Sequence, residues 1–419
     1  MVLYRIFLFF YPLAARLAGL FNEKAQKWTK AQASAMREIE QWQPERPVIW
    51  MHCASQGEFE QGLPVLEAIR KEYPGYQILL SFFSPSGYEP FNRHPVADKI
   101  VYLPLDGQVT AEKWVRKINP ALVIFIKYEF WYFYLQSLHS RQIPVLLMAA
   151  VFRPSQPFFK WYGGMYRKML SFYQFILVQD NASAQLLQSL QIPLDILVAG
   201  DSRYDRVLQI AQHPKSFPAL ESFIGGKDVF IAGSTWPEDD KALQHFVQHN
   251  NQICHIIVPH LTDSSSIARC QQVFPGSIVY SQWENGSREK REASNLPNII
   301  IIDATGMLSN MYRYATIAYI GGGFGAEGIH NILEATVYGI PVVIGPIFDK
   351  FLEAIELADR GGLLVANNAL ALEEQLQQLL KNAPLMEQIG KVAQQFTQEG
   401  GGTAKKVLQL IQENRLLIR

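Results

Sequence analysis

The sequence predicts an α/β protein made of two Rossmann-like halves, each a parallel sheet covered on both faces by helices. Three observations carry that expectation. Short apolar runs alternate with segments of helical periodicity from Val48 to Ala199, and the alternation restarts at Val229. Strands covered on both faces read as continuous apolar runs of this kind. The chain has 419 residues, more than one hydrophobic core usually serves. The stretch Gly321 to Glu334 sits between an apolar run, Thr316 to Ile320, and a helical pattern at His330, Ile332, Leu333, Glu334 and Val337.

In the first half the predicted strands are Val48 to His52, Gln77 to Phe82, Ile100 to Leu103, Ala121 to Ile126, Val145 to Ala149, Phe175 to Val178 and Ile196 to Ala199. Ligands of such sheets bind beyond the carboxyl ends of strands, so the residues after each run are the candidates. His52-Cys53-Ala54-Ser55-Gln56-Gly57-Glu58 follows the first run. A carboxylate at Glu58 can stabilise the start of the next helix, or serve as general base toward an acceptor hydroxyl. Ser84 to Gly87, Asp106-Gly107 and Lys127-Tyr128-Glu129-Phe130-Trp131 end the following runs. Arg153, Arg203 and Arg206 are candidates for an anionic substrate, with solvated surface arginine as the default. Gly200 to Asp205 closes the first sheet and sets the expected boundary.

In the second half, Gly233-Ser234-Thr235-Trp236 ends the run from Val229. Ser234 and Thr235 either hold a ligand oxygen or cap the following helix. Pro259-His260 ends the run from Cys254, and Asp303 to Ser309 follows Ile299 to Ile302. In the glycine stretch, Gly322 and Gly323 let a ligand approach the backbone, and His330, Asn331 and Glu334 stand where one ligand can meet all three. Phosphate suits such a turn. Neither GxGxxG nor a Walker A motif is present.

Lys plus Arg and Asp plus Glu both number 38, so there is no basic footprint for nucleic acid. The three cysteines, Cys53, Cys254 and Cys270, form no CxxC pair, which disfavours a disulfide framework or zinc site. His245 and His249 are four apart but lack a third ligand, so no metal is expected. At the N-terminus, Ile6 to Ala15 is apolar between Arg5 and Arg16, about half of the roughly 20 residues a spanning helix needs. With Phe7, Phe9, Phe10, Tyr11, Lys24, Lys27 and Lys30 it resembles a helix lying on an anionic membrane surface. A cleaved signal peptide and an ordinary core-covering helix are the competing readings. The expected division is 1–30 membrane-associated segment, 31–206 acceptor domain and 207–419 donor domain with C-terminal helices.

Two Rossmann-like halves about a central cleft, with terminal helices, is the GT-B architecture. The loops, in order, resemble those of the transferases that move Kdo, an eight-carbon keto-deoxy sugar acid, from CMP-Kdo to lipid A precursors. The elements are His52, Ser55, Gly57 and Glu58; Leu103 to Asp106; Glu129 and Trp131; Gln179-Asp180; Arg203 and Asp205; Ser234-Thr235; Pro259; Gly306 with Leu308; and Gly322 to Glu334. The resemblance implies an inverting, metal-independent glycosyltransferase of lipopolysaccharide biosynthesis. It would need no cofactor beyond CMP-Kdo and would be peripheral at the cytoplasmic side of the inner membrane. It implies Glu58 as base, with Ser55, Gly57, Asp106, Glu129 and Trp131 toward the acceptor. CMP-Kdo would lie against Ser234, Thr235, Pro259, His260, Gly306, Met307, Leu308, Gly322, Gly323, His330, Asn331 and Glu334. The chain departs from the pattern at Lys127, Trp236, His260, Ile329 and Lys350. The alternatives are a GT-B enzyme using a nucleotide-diphosphate sugar, a non-catalytic sugar-nucleotide-binding protein and, last, a sugar-nucleotide epimerase.

Overall fold

A computed structural model describes residues 2–286 and 297–418. The chain forms two compact units, Met1–Arg206 with Gly401–Arg419, and Val207–Gly400.

The first unit is a seven-stranded parallel sheet of β1 (Val48–Cys53), β2 (Gln77–Phe82), β3 (Lys99–Tyr102), β4 (Leu122–Ile126), β5 (Val145–Ala150), β6 (Phe175–Val178) and β7 (Ile196–Val198). The order is β3-β2-β1-β4-β5-β6-β7, which reverses direction at β1 and β4. Successive side chains point to opposite faces, so each strand feeds two cores. Val48, Trp50, Val123 and Phe125 enter one core, while Ile49, Met51, Ile124 and Ile126 enter the other. This is why the runs are apolar without alternation. Two helices precede the sheet, α1 (Val2–Ala18) and α2 (Glu23–Gln41), and α3 (Gln56–Glu72) follows β1.

The last helix, Thr403–Glu413, belongs to this first unit rather than to the second half expected from sequence. Asp205 explains the return. Its two carboxylate oxygens accept the Gly402 and Thr403 amides at 3.0 and 2.9 Å, satisfying the start of that helix. Val407 and Ile411 then enter the Ile49 core.

The second unit repeats the plan with β8 (Val229–Thr235), β9 (Cys254–Pro259), β10 (Ile278–Val279), β11 (Ile299–Ile301), β12 (Ile317–Ile320), β13 (Val342–Ile344) and β14 (Leu364–Val365). Its order is β10-β11-β9-β8-β12-β13-β14, with the reversal at β8 and β12. Among the described residues no helix is long and apolar enough to cross a membrane.

Candidate active site

In the first unit the loop after β1 leaves the sheet at its reversal point and turns into α3. Glu58 is in the first turn of that helix, with Ser55 at the N-cap. One oxygen, Oε2, accepts the amides of Ala54 and Ser55, the latter at 3.2 Å. The helix-start reading of Glu58 is met by these bonds, and the carboxylate also stands at the strand's carboxyl edge. Burial raises its pKa above the ordinary value and the charge of Glu129 raises it further. The Ala54 amide, His52 and Lys127 act in the opposite direction. Such a carboxylate accepts a proton more readily than a solvated one, as a general base requires.

Behind Glu58 lies a buried polar chain. Trp50 Nε1 donates to Ser81 Oγ at 2.7 Å, and Ser81 Oγ lies 2.9 Å from His52 Nδ1. His52 Nδ1 also lies 3.0 Å from the Ser81 carbonyl, which can only accept, so Nδ1 carries a proton, and Nε2 meets Glu129 Oε2 at 2.9 Å as a close contact without hydrogen-bond geometry. Trp131 Nε1 donates to that same oxygen.

This geometry corrects two expected acceptor contacts. Glu129 is 3% exposed and holds His52 and Trp131, so it acts on Glu58 by its charge rather than on an acceptor by contact. Asp106 is also 3% exposed. It accepts Tyr4 Oη at 2.5 Å and the Phe133 and Tyr134 amides at 3.0 and 3.1 Å, tying α1 to the start of helix Tyr132–Ser140. Burial raises the Asp106 carboxyl to about 6 against these hydrogen bonds. Ser55 is half-buried, Gly57 is exposed and Trp131 is half-buried, so these three remain available at the edge. Trp131 packs on Phe83 at 5.0 Å, and Phe83 packs on Trp28 at 5.6 Å and on Tyr11 of α1 at 6.3 Å. Of the three arginines offered to a substrate, Arg203 pairs with Asp201 at 2.6 Å and Arg206 with Glu60 at 2.8 Å.

In the second unit the candidates gather where the strand order reverses. The backbones approach so closely that glycine is required. A Cβ on Gly321 would meet Ser234 O at 2.4 Å, one on Gly322 would meet Gly328 O at 2.1 Å, and one on Gly323 would meet Gly345 N at 2.6 Å. Close packing by itself requires both glycines, Gly322 against Gly328 of the same turn and Gly323 against Gly345 of the next strand-end loop. Asp239, in the first turn of the helix Pro237–His249, anchors this glycine turn. Its oxygens accept Tyr319 Oη at 2.6 Å and the amides of Trp236 and Gly322 at 2.9 and 2.7 Å. A phosphate nest on these amides is therefore excluded. The remaining edge is formed by Ser234, His260, His330 and the Gly306–Leu308 turn. Thr235 and Pro259 are buried strand ends.

Three rings from three loops stack on that edge. Trp236 Nε1 donates to His330 Nε2 at 3.1 Å. The exposed His260 ring lies over both, 4.7 Å from Trp236 and 4.4 Å from His330. Next to them, a Cβ at Gly233 would fall 1.9 Å from Tyr312 Oη and 3.0 Å from Leu308 Cδ1, so the Leu308 turn closes directly on the β8 end. Burial raises the Tyr312 phenol and the charge of Glu334 raises it further. Asn331 Oδ1 accepts Leu333 N at 3.2 Å and Asn331 Nδ2 reaches Glu334 Oε1 at 3.4 Å, so these two act as a pair. His330 and Asn331 precede the one-turn helix Leu333–Thr336 rather than opening it as expected.

His245 and His249, the weak metal candidates, stack on each other at 4.0 Å, and His245 Nδ1 bonds Glu373 at 2.7 Å.

Two seven-stranded parallel α/β units, each with its strand order reversing in the middle of the sheet, define a GT-B fold. A family model described as 3-deoxy-D-manno-octulosonic-acid transferase (kdotransferase) matches residues 25–206, and one for glycosyl transferases group 1 matches residues 269–396. The protein is a glycosyltransferase similar over most of its length to 3-deoxy-D-manno-octulosonic acid transferases. It is 26% identical over 380 residues to such a transferase from Haemophilus influenzae, covering 87% of this chain and 86% of the relative. It is also 26% identical to one from Chlamydia trachomatis serovar A, covering 78% and 77%. Among solved structures, a glycosyltransferase from Rickettsia africae superposes with TM-score 0.56 at 14% identity, covering 88% and 98% of the two chains. A putative UDP-N-acetylglucosamine 2-epimerase from Listeria monocytogenes gives TM-score 0.63 at 13% identity, covering 89% and 98%. At such identities these likenesses speak for the fold alone.

Proposed function

We propose that the protein transfers Kdo from CMP-Kdo to a hydroxyl of a lipid A precursor with inversion, without a further cofactor or a metal, and that Glu58 is the base. The observation that carries the reading is the half-buried Glu58 at the carboxyl edge of β1, its pKa raised by burial and by Glu129. The acceptor O–H loses its proton to Glu58 as the oxygen bonds to the anomeric carbon. The bond from that carbon to the phosphate oxygen breaks, and its electron pair leaves with CMP. The second unit holds the donor through the ribose-facing pair Asn331 and Glu334, the Gly306–Leu308 turn and the ring stack. Charge developing on the departing phosphate needs donors, and His260, Ser234 and the backbone of that turn supply them in this reading. Ser55, Gly57 and Trp131 form the acceptor edge, while α1 lies on the membrane surface and confines the protein to where a lipid acceptor is found.

The test is mass analysis of a lipid A precursor after incubation with purified protein and CMP-Kdo generated in place. The expected product carries the added mass of Kdo. An unchanged lipid, with CMP failing to protect the protein thermally while UDP or GDP does, would favour a nucleotide-diphosphate sugar instead. Glu58→Gln is expected to lower turnover at least about a hundredfold, with CMP binding retained, because a positioned base contributes 10² to 10⁴.

A further inference from the structure

We infer that the loop Lys160–Gly163, with Trp161 and Tyr162 at its tip, is a second membrane-insertion element that lies beside α1 and enters the interface of an anionic bilayer. The inference extends the proposed membrane association of α1 to a segment far away in sequence.

Trp161 is 91% exposed and Tyr162 57% exposed, with the two rings edge to face at 5.6 Å. Indole and phenol rings partition to the polar–apolar boundary of a bilayer, because each joins an apolar body to a hydrogen-bonding tip. The loop that carries them is braced. Arg167 donates to the carbonyls of Phe158 and Lys160 at 3.0 and 2.9 Å. Gly163 allows the chain to close, since a Cβ there would fall 2.0 Å from Pro157 O. Two large rings are thus held outward by a preorganised turn, which reduces the ordering cost of insertion.

Tyr132 links this loop to α1. Tyr4 of α1 packs on Tyr132 at 6.5 Å, and Lys168, from the helix that follows the loop, lies 5.9 Å from the same ring. The outer side of α1 continues the apolar surface: Ile6, Phe9, Phe10, Leu13 and Leu17 are all exposed. Charge selects an anionic lipid surface over a second copy of this chain. Between Glu129 and Asp180 the sequence has no Asp or Glu, but carries Arg141, Arg153, Lys160, Arg167 and Lys168. The first 22 residues likewise have no acid and include Arg5 and Arg16. Of these cations, Lys160 lies in the loop and Arg167 and Lys168 in the helix Gly164–Leu170 that follows it, so self-association through the loop would bring like charges together.

Full-length protein with Trp161→Ser and Tyr162→Ser is compared with wild type and with Phe9→Ser, Phe10→Ser. The readout is co-sedimentation with phosphatidylglycerol-containing vesicles, with pure phosphatidylcholine vesicles as control. The loop variant is expected to bind the anionic vesicles at least about fivefold more weakly, to melt like wild type, and to turn over detergent-dispersed acceptor at the wild-type rate. Wild-type vesicle binding by the loop variant, with weakened binding by the α1 variant, overturns the loop and leaves α1. Unaltered binding by both variants overturns both. A loop variant that changes sedimentation velocity without vesicles, and leaves vesicle binding intact, assigns the surface to self-association and overturns the inference.

Discussion

His52 Nε2 and Glu129 Oε2 lie 2.9 Å apart, and neither side chain is more than 4% exposed. Glu129 accepts the indole proton of Trp131 on the same oxygen, which holds its charge where it acts on Glu58. A buried carboxylate held in this way makes deprotonating a neighbouring carboxyl harder. Activity that requires ionised Glu58 falls as pH falls through its pKa. Glu129→Gln removes a charge that raises that pKa, so the acid limb of kcat/KM is expected to move to lower pH. Both contacts are to one oxygen, so the Gln carbonyl can keep the Trp131 bond, and losing its charge assistance costs about 1 kcal/mol in stability. A pH–rate profile and a thermal melt read the two effects separately. An unmoved acid limb with a lowered Tm would reduce Glu129 to a purely structural part.

Asp106 gives a prediction for stability. Its carboxyl is raised to about 6 from an ordinary 3.8, so folding favours the protonated form. A raised folded-state pKa contributes stability below the unfolded value, and that contribution is lost as pH rises from about 3.8 to about 6. Asp106→Asn cannot ionise. Relative to this variant, wild type is expected to lose stability between pH 4 and pH 7, as measured by denaturant melts at both pH values. Tyr4→Phe removes a hydrogen bond worth about 0.5–1.5 kcal/mol and is expected to speed proteolysis of α1.

The glycines divide into two kinds. Gly321→Ala places a methyl 2.4 Å from the Ser234 carbonyl, where only backbone can yield, and the second unit is expected to lose its cooperative melt. Gly57→Ala meets nothing within 4 Å and sits in the first turn of α3. It is expected to raise stability by up to about 1 kcal/mol through helix propensity. If Gly57→Ala keeps that gain but loses activity, the acceptor passes close to this backbone. If activity is unchanged, Gly57 leaves the acceptor edge.

Much of the architecture was legible because parallel strands of three or more residues read as apolar runs, and all seven strands of the first sheet were visible in this way. The two-residue strands β10 and β14 were not visible, since a run that short has no period. The return of helix Thr403–Glu413 to the first unit was hidden as well. It depends on Asp205 capping a helix nearly two hundred residues later in the chain, which no local pattern records. Glu58 could be found from its position after a strand. Asp106 and Glu129 occupied equally suggestive positions, but only packing separates a carboxylate at an edge from one sealed by indole and tyrosine. Asp239 looked like one of three acids opening a helix, and its grip on Gly322 is again a contact distant in sequence.

The ring stack of the second unit yields the last prediction. Trp236 Nε1 donates to His330 Nε2, so that nitrogen must be unprotonated. Burial, with the neighbouring His260, lowers the His330 pKa to about 4 from 6.5. The sign is therefore opposite to that of Asp106: the neutral ring contributes stability above 6.5, and this contribution is lost as pH falls toward 4. His260 is lowered by burial and raised by the charge of Glu327, and it faces the same pair. Protonating His330 sets two N–H groups against each other and loosens the platform on which the nucleotide is proposed to rest. The Tm increase produced by CMP is expected to hold from pH 8 to about 5 and to shrink as pH falls through about 4, where His330 of the folded protein protonates. His330→Gln retains an acceptor oxygen without titrating, so its CMP-induced shift is expected to be flatter over the same range. If the variant and wild type lose CMP protection in parallel, His330 is not the group whose protonation weakens nucleotide binding.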